Sequence, residues 1–158
     1  MGADVGNPAR KGVNPHARRS KSRRQAMQAL YQWQLNAVDA AELIAQFESD
    51  AEAFRGADRE YFEELVSRVV ADHEALDGHY APYLDRPLKD LDPVSRAILR
   101  LATYELAERL EVPYRVVINE AVNLARKFGP EKSHAYINAV LDRLSRELRR
   151  IEHEHASG

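Results

Sequence analysis

The chain has 158 residues, of which 44% are hydrophobic and 30% are charged, and its formal net charge is −2. These values are typical of one globular domain, or of one domain built from two small lobes. Cysteine is absent, which excludes disulfides, a thiol nucleophile and thiolate metal sites. No apolar run approaches the roughly 20 residues of a membrane helix, and none resembles a signal peptide. We therefore expect a soluble cytoplasmic protein.

Charge is distributed unevenly along the chain. Residues 1–38 contain seven basic side chains and one acid, a local net charge of +6, whereas residues 39–158 carry −8. Glycine and proline are frequent in residues 1–16, which predicts a flexible leader. A basic segment on an acidic body suggests that a polyanion binds at that end.

The basic residues run directly into the first predicted helix, from about Ala17 to Ala37. Its apolar residues recur at helical spacing on one face: Met27, Leu30, Tyr31, Leu35 and Val38. A basic helix fixed to a core can follow a phosphate backbone. Unpaired bases can stack on nearby aromatic rings, here Tyr31 and Trp33.

Five further helices are predicted in chain order, and their first turns are marked by capping residues or proline. Aspartates precede the second, third and fourth helices, Pro113 opens the fifth, and Ser133 caps the sixth; the three aspartates are Asp39, Asp58 and Asp92. The fourth helix is apolar on most sides, which is typical of a central helix.

The segment from Gly78 to Pro93, which leads from the third helix into the fourth, contains three prolines and predicts a bent linker. With no convincing strand pattern, the chain is predicted to be an all-α helical bundle of about six to seven helices in two lobes. The predicted parts are an N-lobe (17–78), a linker (79–92), a C-lobe (93–148) and a charged tail (149–158).

The polar residues do not form a recognisable catalytic or metal-binding motif. Glu105, on the apolar face of the fourth helix, is interpreted as a buried structural acid. Asn119, Glu120 and Asn123 could bond to a partner's backbone or to neighbouring helices. The histidine-containing tail is expected to be disordered. We predict no catalytic residues, no metal site and no cofactor.

Several sequence blocks, in this order and spacing, resemble the NusB family from about Arg18 to Leu144. The arginine-rich start leads into Gln28–Trp33. Further blocks are Tyr61-Phe62 with Leu65-Val66, Ile98–Ala102 with Tyr104–Leu106, and Val112–Tyr114 with Ile118–Val122. The last is Tyr136–Asp142, similar to the family signature Phe-Val-Asn-Gly-Val-Leu-Asp.

This resemblance implies a non-enzymatic RNA-binding protein of transcription antitermination. Family members bind boxA RNA of nascent ribosomal-RNA transcripts together with NusE, a small-subunit ribosomal protein. The complex joins elongating RNA polymerase and other Nus factors. A homodimer of the free chain is possible. Membrane association is not expected.

Carried over residue by residue, the resemblance places the RNA surface on the basic arm and on the start of the sixth helix. The predicted RNA-binding residues are Arg18, Arg19, Lys21, Arg23, Arg24, Tyr31, Lys132 and Tyr136. Three of the chain's residues depart from common family residues: Arg24, Lys132 and Ala139. NusE binding is assigned only by region, to the fourth and fifth helices.

Two alternatives remain open at this stage. The chain could be a NusB-like accessory domain of an RNA methyltransferase, although it contains no Rossmann-type glycine motif downstream. It could also be a protein-interaction bundle whose basic arm is incidental.

Overall fold

The computed structural model of the protein describes residues 14–157, and this part of the chain is all-helical, as predicted. It contains eight α-helices: α1 (Pro15–Asn36), α2 (Ala40–Glu48), α3 (Ala51–Phe54), α4 (Arg59–Tyr80), α5 (Pro93–Glu108), α6 (Tyr114–Phe128), α7 (Ser133–Leu148) and α8 (Arg150–Ser157). Two 3₁₀ turns, Ala81–Tyr83 and Leu88–Asp90, form the predicted linker between α4 and α5.

The first helix begins two residues earlier than predicted. Asn14 is its N-cap, and the Asn14 side chain accepts a hydrogen bond from the amide of Ala17 at 2.7 Å. Pro15 occupies the first helical position. A backbone N–H has no acceptor within the helix at this position, so proline's lack of an N–H costs no hydrogen bond. The greater part of the predicted leader, residues 1–13, lies outside the described residues.

The three aspartate caps are confirmed, and the serine cap is not. Asp39, Asp58 and Asp92 accept hydrogen bonds from backbone amides three residues ahead, at 3.3, 3.1 and 2.9 Å. For α7, the N-cap is instead Lys132, which has a left-handed backbone with φ of 69° and makes no side-chain cap. Ser133 is the first helical residue, and its buried hydroxyl has no partner among the described residues.

Helix α5 is the centre of the fold, as its apolar pattern predicted. Every residue from 97 to 106 is buried, and the helix packs against α1, α4, α6 and α7. Apolar side chains from both predicted lobes belong to one core; Leu30, Phe62, Leu99, Ile137 and Leu141 are among those with less than 1% exposure.

Two segments form helices where none was expected. Residues 50–57, predicted as a loop, contain the one-turn helix α3, which buries Phe54 against Phe62. The tail is helical from Arg150 to Ser157, so the prediction of a disordered tail is wrong. Its docking depends on Arg149, whose side chain is 3% exposed and whose guanidinium donates to carbonyl oxygens of α5 and the following turn.

Within residues 14–157, no helix is long and apolar enough to cross a membrane.

Candidate nucleic-acid interface

The cations of the basic arm point in different directions around α1. Arg18 donates to the carbonyl oxygen of Ala57 at 3.4 Å, and Lys21 donates to the carbonyl oxygen of Arg55. Both acceptors are neutral, so the two positive charges are oriented without being cancelled. Gly56 has a φ of 82°, which suits glycine and allows the tight turn between these carbonyls.

Ser22 fastens this turn to α1. Its buried hydroxyl donates to the carbonyl oxygen of Asp58 at 2.6 Å and accepts from the amide of Asp58 at 2.8 Å. A short buried side chain is needed here because the loop backbone packs directly on the helix. The carbonyl acceptors for Arg18 and Lys21 are therefore held at fixed positions along the helix.

Arg19 lies over an aromatic ring at the other side of the helix. Its guanidinium carbon is 4.2 Å from the centroid of the Tyr61 ring, a cation–π distance. The nearest acidic group is Glu111, whose carboxylate is 3.8 Å away. The Arg19 side chain is 29% exposed, so it can still reach a ligand at the surface.

Arg23 is not at the surface, and the prediction that it is an exposed arm residue is wrong. Its side chain is 3% exposed, and its Nε lies 2.9 and 3.0 Å from the two carboxylate oxygens of Glu105. A second contact, of 3.3 Å, joins Nη1 to Glu120. Burial alone lowers the pKa of the guanidinium, but the hydrogen bond and charge of Glu105 raise it above its usual value.

Glu105 is a buried structural acid, as its position in the sequence indicated. It is 1% exposed and also accepts a hydrogen bond from the hydroxyl of Tyr61. Burial and the negative charge of Glu105 raise the pKa of Tyr61, so the phenol stays neutral. The network joins α1, α4, α5 and α6.

Lys21 and Arg24 line a surface groove between α1 and α6. The groove has a volume of about 470 Å³, and Asn123 and Lys127 of α6 form the opposite wall. Spacings of three and four residues place Lys21, Arg24 and Tyr31 on one side of α1. The acid of this groove, Glu120, is 14% exposed and is paired with the buried Arg23. The accessible charge is therefore positive.

Tyr31 lines a second, mainly apolar groove further along the same face. This groove has a volume of about 370 Å³, and its walls include Phe47, Val94 and Phe128. Tyr31 is half-buried and also packs against the core. The two grooves follow each other along α1 and α6, with charge at one end and aromatic surface at the other.

The remaining two predicted residues lie on α7 or just before it. Lys132 is exposed and lies four residues after Phe128, the last residue of α6. Tyr136 lies against the linker, where its hydroxyl accepts from the amide of Asp85 at 3.2 Å and the Arg86 guanidinium is 4.6 Å from its ring centroid. The structure thus places Tyr136 beside the linker.

Sequence reasoning missed Lys127 and proposed other roles for Asn123. The useful signal was present: residues 120, 123, 124 and 127 recur at helical spacing and form one stripe of α6. Which element this stripe faces depends on tertiary packing and could not be read from periodicity.

Within residues 14–157, no group of three or more histidine, aspartate or glutamate side chains is arranged to hold a metal ion.

Comparisons with known proteins agree over most of the chain. The model of the NusB family matches residues 20–146. The transcription antitermination protein NusB of Stenotrophomonas maltophilia (strain R551-3) is 48% identical over 156 residues, which cover 98% of this chain and 97% of the relative.

Solved structures give the same result. T. maritima NusB has a TM-score of 0.74 at 28% identity, covering 89% of this chain and 98% of that chain. A complex of the antitermination factors NusB and NusE with double-stranded RNA matches with a TM-score of 0.70 at 27% identity, covering 81% and 96%.

These relatives are transcription antitermination proteins rather than enzymes. The fold, the basic helix and the sequence comparisons all lead to one assignment. The chain belongs to the NusB family of transcription antitermination proteins.

Proposed function

We propose that this protein binds boxA RNA of nascent ribosomal-RNA transcripts through the groove between α1 and α6, together with NusE. The observation that carries this proposal is the succession along α1 of a groove lined by cations and a groove lined by aromatic side chains. The NusB relative solved with NusE and RNA supports this choice of partners.

The cationic groove supplies the sequence-independent part of binding. Lys21, Arg24 and Lys127 are placed to contact successive phosphates, and each contact releases counterions from the RNA. Lys21 is held by the carbonyl of Arg55, which orients its ammonium group at little further cost in side-chain entropy on binding.

The aromatic groove supplies stacking. A base of an RNA strand whose backbone passes Arg24 can stack on Tyr31 or Phe128 in the next groove along α1. Stacking on an aromatic side chain contributes about 1–3 kcal/mol per base. Arg18, Arg19, Lys132 and Tyr136 line neither groove and are proposed as further RNA contacts outside them, whereas Arg23 acts only from within the core.

The finer steps of assembly remain part of the proposal. NusE is assigned to the region of α5 and α6, and the resulting complex joins elongating RNA polymerase with other Nus factors in the cytoplasm. A homodimer of the free chain stays a prediction.

The proposal is tested by fluorescence anisotropy with labelled boxA RNA and a scrambled RNA, each with and without purified NusE. We expect NusE to tighten binding to boxA more than to the scramble. Arg24→Ala and Lys127→Ala should each weaken binding, whereas Arg143→Ala, an exposed substitution outside the groove, should not. Equal affinity for both RNAs, unchanged by NusE, would contradict the proposal.

A further inference from the structure

A second, polar cleft lies between α6, α7 and α8, and the RNA proposal does not use it. It has a volume of about 430 Å³, within the usual range of ligand-binding pockets. We propose that this cleft binds an extended segment of a partner protein through one acidic side chain and the neighbouring peptide backbone.

Arg115 supplies the cation for the acidic side chain. It is exposed at the start of α6, and among residues 14–157 no carboxylate lies within 4 Å of its guanidinium. Its Nε donates to the hydroxyl of Tyr114 at 3.2 Å, which fixes part of the side chain and leaves the terminal nitrogens for a ligand. A guanidinium can bind a carboxylate through two parallel hydrogen bonds.

Two asparagines supply groups that match a peptide backbone. Asn119 of α6 and Asn138 of α7 both line the cleft and are exposed, and neither side-chain amide is bonded to another described residue. Each amide offers donors and an acceptor, which is the combination that a backbone N–H and C=O require. The notion that Asn119 bonds to a partner's backbone, left open from the sequence, fits this position.

The charges of the cleft favour a peptide over RNA. Asp142 and Arg146 line the same cleft as Arg115, and the Asp142 carboxylate is 3.3 Å from the Arg146 guanidinium, so these two charges offset each other. An RNA strand carries a negative charge at every nucleotide and would bring phosphates close to Asp142. A peptide can place a single carboxylate at Arg115 and a neutral backbone beside the asparagines and Asp142.

The floor of the cleft is already ordered. The rings of Tyr114 and His153 stack with centroids 3.9 Å apart, and a ring nitrogen of His153 is 2.8 Å from the hydroxyl of Ser145. The carboxylate of Glu152 accepts a hydrogen bond from the amide of Tyr114 at 3.0 Å. A preformed floor reduces the entropy lost when a ligand binds.

Helix α6 separates this cleft from the RNA groove. Arg115 and Asn119 lie on the side that faces α8, whereas Asn123 and Lys127 line the groove with α1. The two surfaces can therefore be occupied at the same time, which suits a protein that assembles a complex on RNA.

The test is selection of random heptapeptides displayed on phage with the whole chain as target, and with Arg115→Glu as a second target. We expect enriched sequences to share one aspartate or glutamate. Synthetic versions should bind Arg115→Glu about tenfold more weakly or worse, in the range of a lost charged hydrogen bond. Arg143→Glu, an exposed change on α7 outside the cleft, should bind within about twofold of the original chain.

Amide resonances identify the occupied surface. Selected peptides should shift the side-chain amide signals of Asn119 and Asn138, and hexauridylate should not. The proposal is overturned if no sequence is enriched, if the enriched peptides bind Arg115→Glu equally well, or if RNA rather than peptide shifts these two signals. Circular dichroism of each variant shows that the fold is retained, and RNA affinity measured in parallel distinguishes this result from failure of the RNA proposal.

Discussion

At the residue scale, Arg23 and Arg24 are neighbours in the sequence but lie in different environments, the first in the core and the second at a surface groove. Arg23 is four residues before Met27 and seven before Leu30, so it lies on the buried stripe of α1 and pairs with Glu105. Arg24 is turned to the groove with Lys127. Both are basic residues of the same arm, but only the second lines a surface groove.

We expect Arg23→Ala to destabilise the fold and Arg24→Ala to weaken RNA binding. Removal of one partner leaves the buried carboxylate of Glu105 uncompensated, which costs about 3–5 kcal/mol of unfolding free energy. Urea unfolding of both variants measures this difference, with boxA anisotropy as the second readout. Equal stability of the two variants would contradict the structural role of Arg23.

Three buried phenols predict alkaline instability. Burial and the charge of a neighbouring carboxylate raise the pKa values of Tyr61, Tyr80 and Tyr104 above the ordinary value of about 10. Above pH of about 10 the unfolded state loses protons that the folded state still holds. The contribution of these phenols to the unfolding free energy is therefore fully present below pH of about 10 and falls as pH rises further.

Urea unfolding across pH, together with tyrosinate absorbance, tests this expectation. Tyr80→Phe removes one of the three groups and should make stability fall less steeply above pH of about 10. Tyr31→Phe is the control, because Tyr31 is only half-buried on the groove. A pH dependence that is identical in the original chain and in Tyr80→Phe would show that the buried Tyr80 does not contribute.

At the element scale, the junction of α7 with the C-terminal helix α8 supplies side chains that cap two other helices. Arg149 caps the end of α5 by donating to the carbonyl oxygens of Glu105 and Leu106. Glu152 caps the start of α6, where the N-cap residue Pro113 makes no side-chain cap. The two side chains also pair with each other at 2.6 Å.

Glu152→Ala should lower the unfolding free energy by about 1 kcal/mol, the typical value of an N-terminal cap. Glu154→Ala is a matched control, because Glu154 is exposed on the same helix and caps nothing among the described residues. Thermal or urea unfolding compares the two. If Glu152→Ala lowers the unfolding free energy no more than Glu154→Ala does, Glu152 does not act as a cap.

Sequence patterns predicted the elements better than their contacts. Aspartate caps and apolar periodicity placed α2, α4 and α5 correctly because those signals act within one helix. The helicity of the tail was missed because Arg149 and Glu152 are satisfied by helices about 40 residues away. The burial of Arg23 was misjudged, although its spacing to Met27 and Leu30 was visible.

At the scale of the whole molecule, helix α1 carries cations on several sides, and the packing of α6 against it forms one cationic groove. Arg18 and Lys21 donate to carbonyl oxygens of the turn before α4, and Arg23 is buried in the core. Lys21 and Arg24 line the groove, opposite Lys127 of α6. Family resemblance predicted the basic arm as the RNA surface, but only the packing of α6 against α1 identifies the opposite wall.

The most direct test of the groove is the salt dependence of boxA binding. Three phosphate contacts contribute about 2 to the slope of log affinity against log salt, at about 0.7 for each phosphate of a single strand. We predict that the combined variant Lys21→Ala, Arg24→Ala and Lys127→Ala loses about this much slope, whereas Arg68→Ala, Arg143→Ala and Arg150→Ala together retain it. An unchanged slope in the groove variant, or an equal loss in both, would contradict RNA binding between α1 and α6.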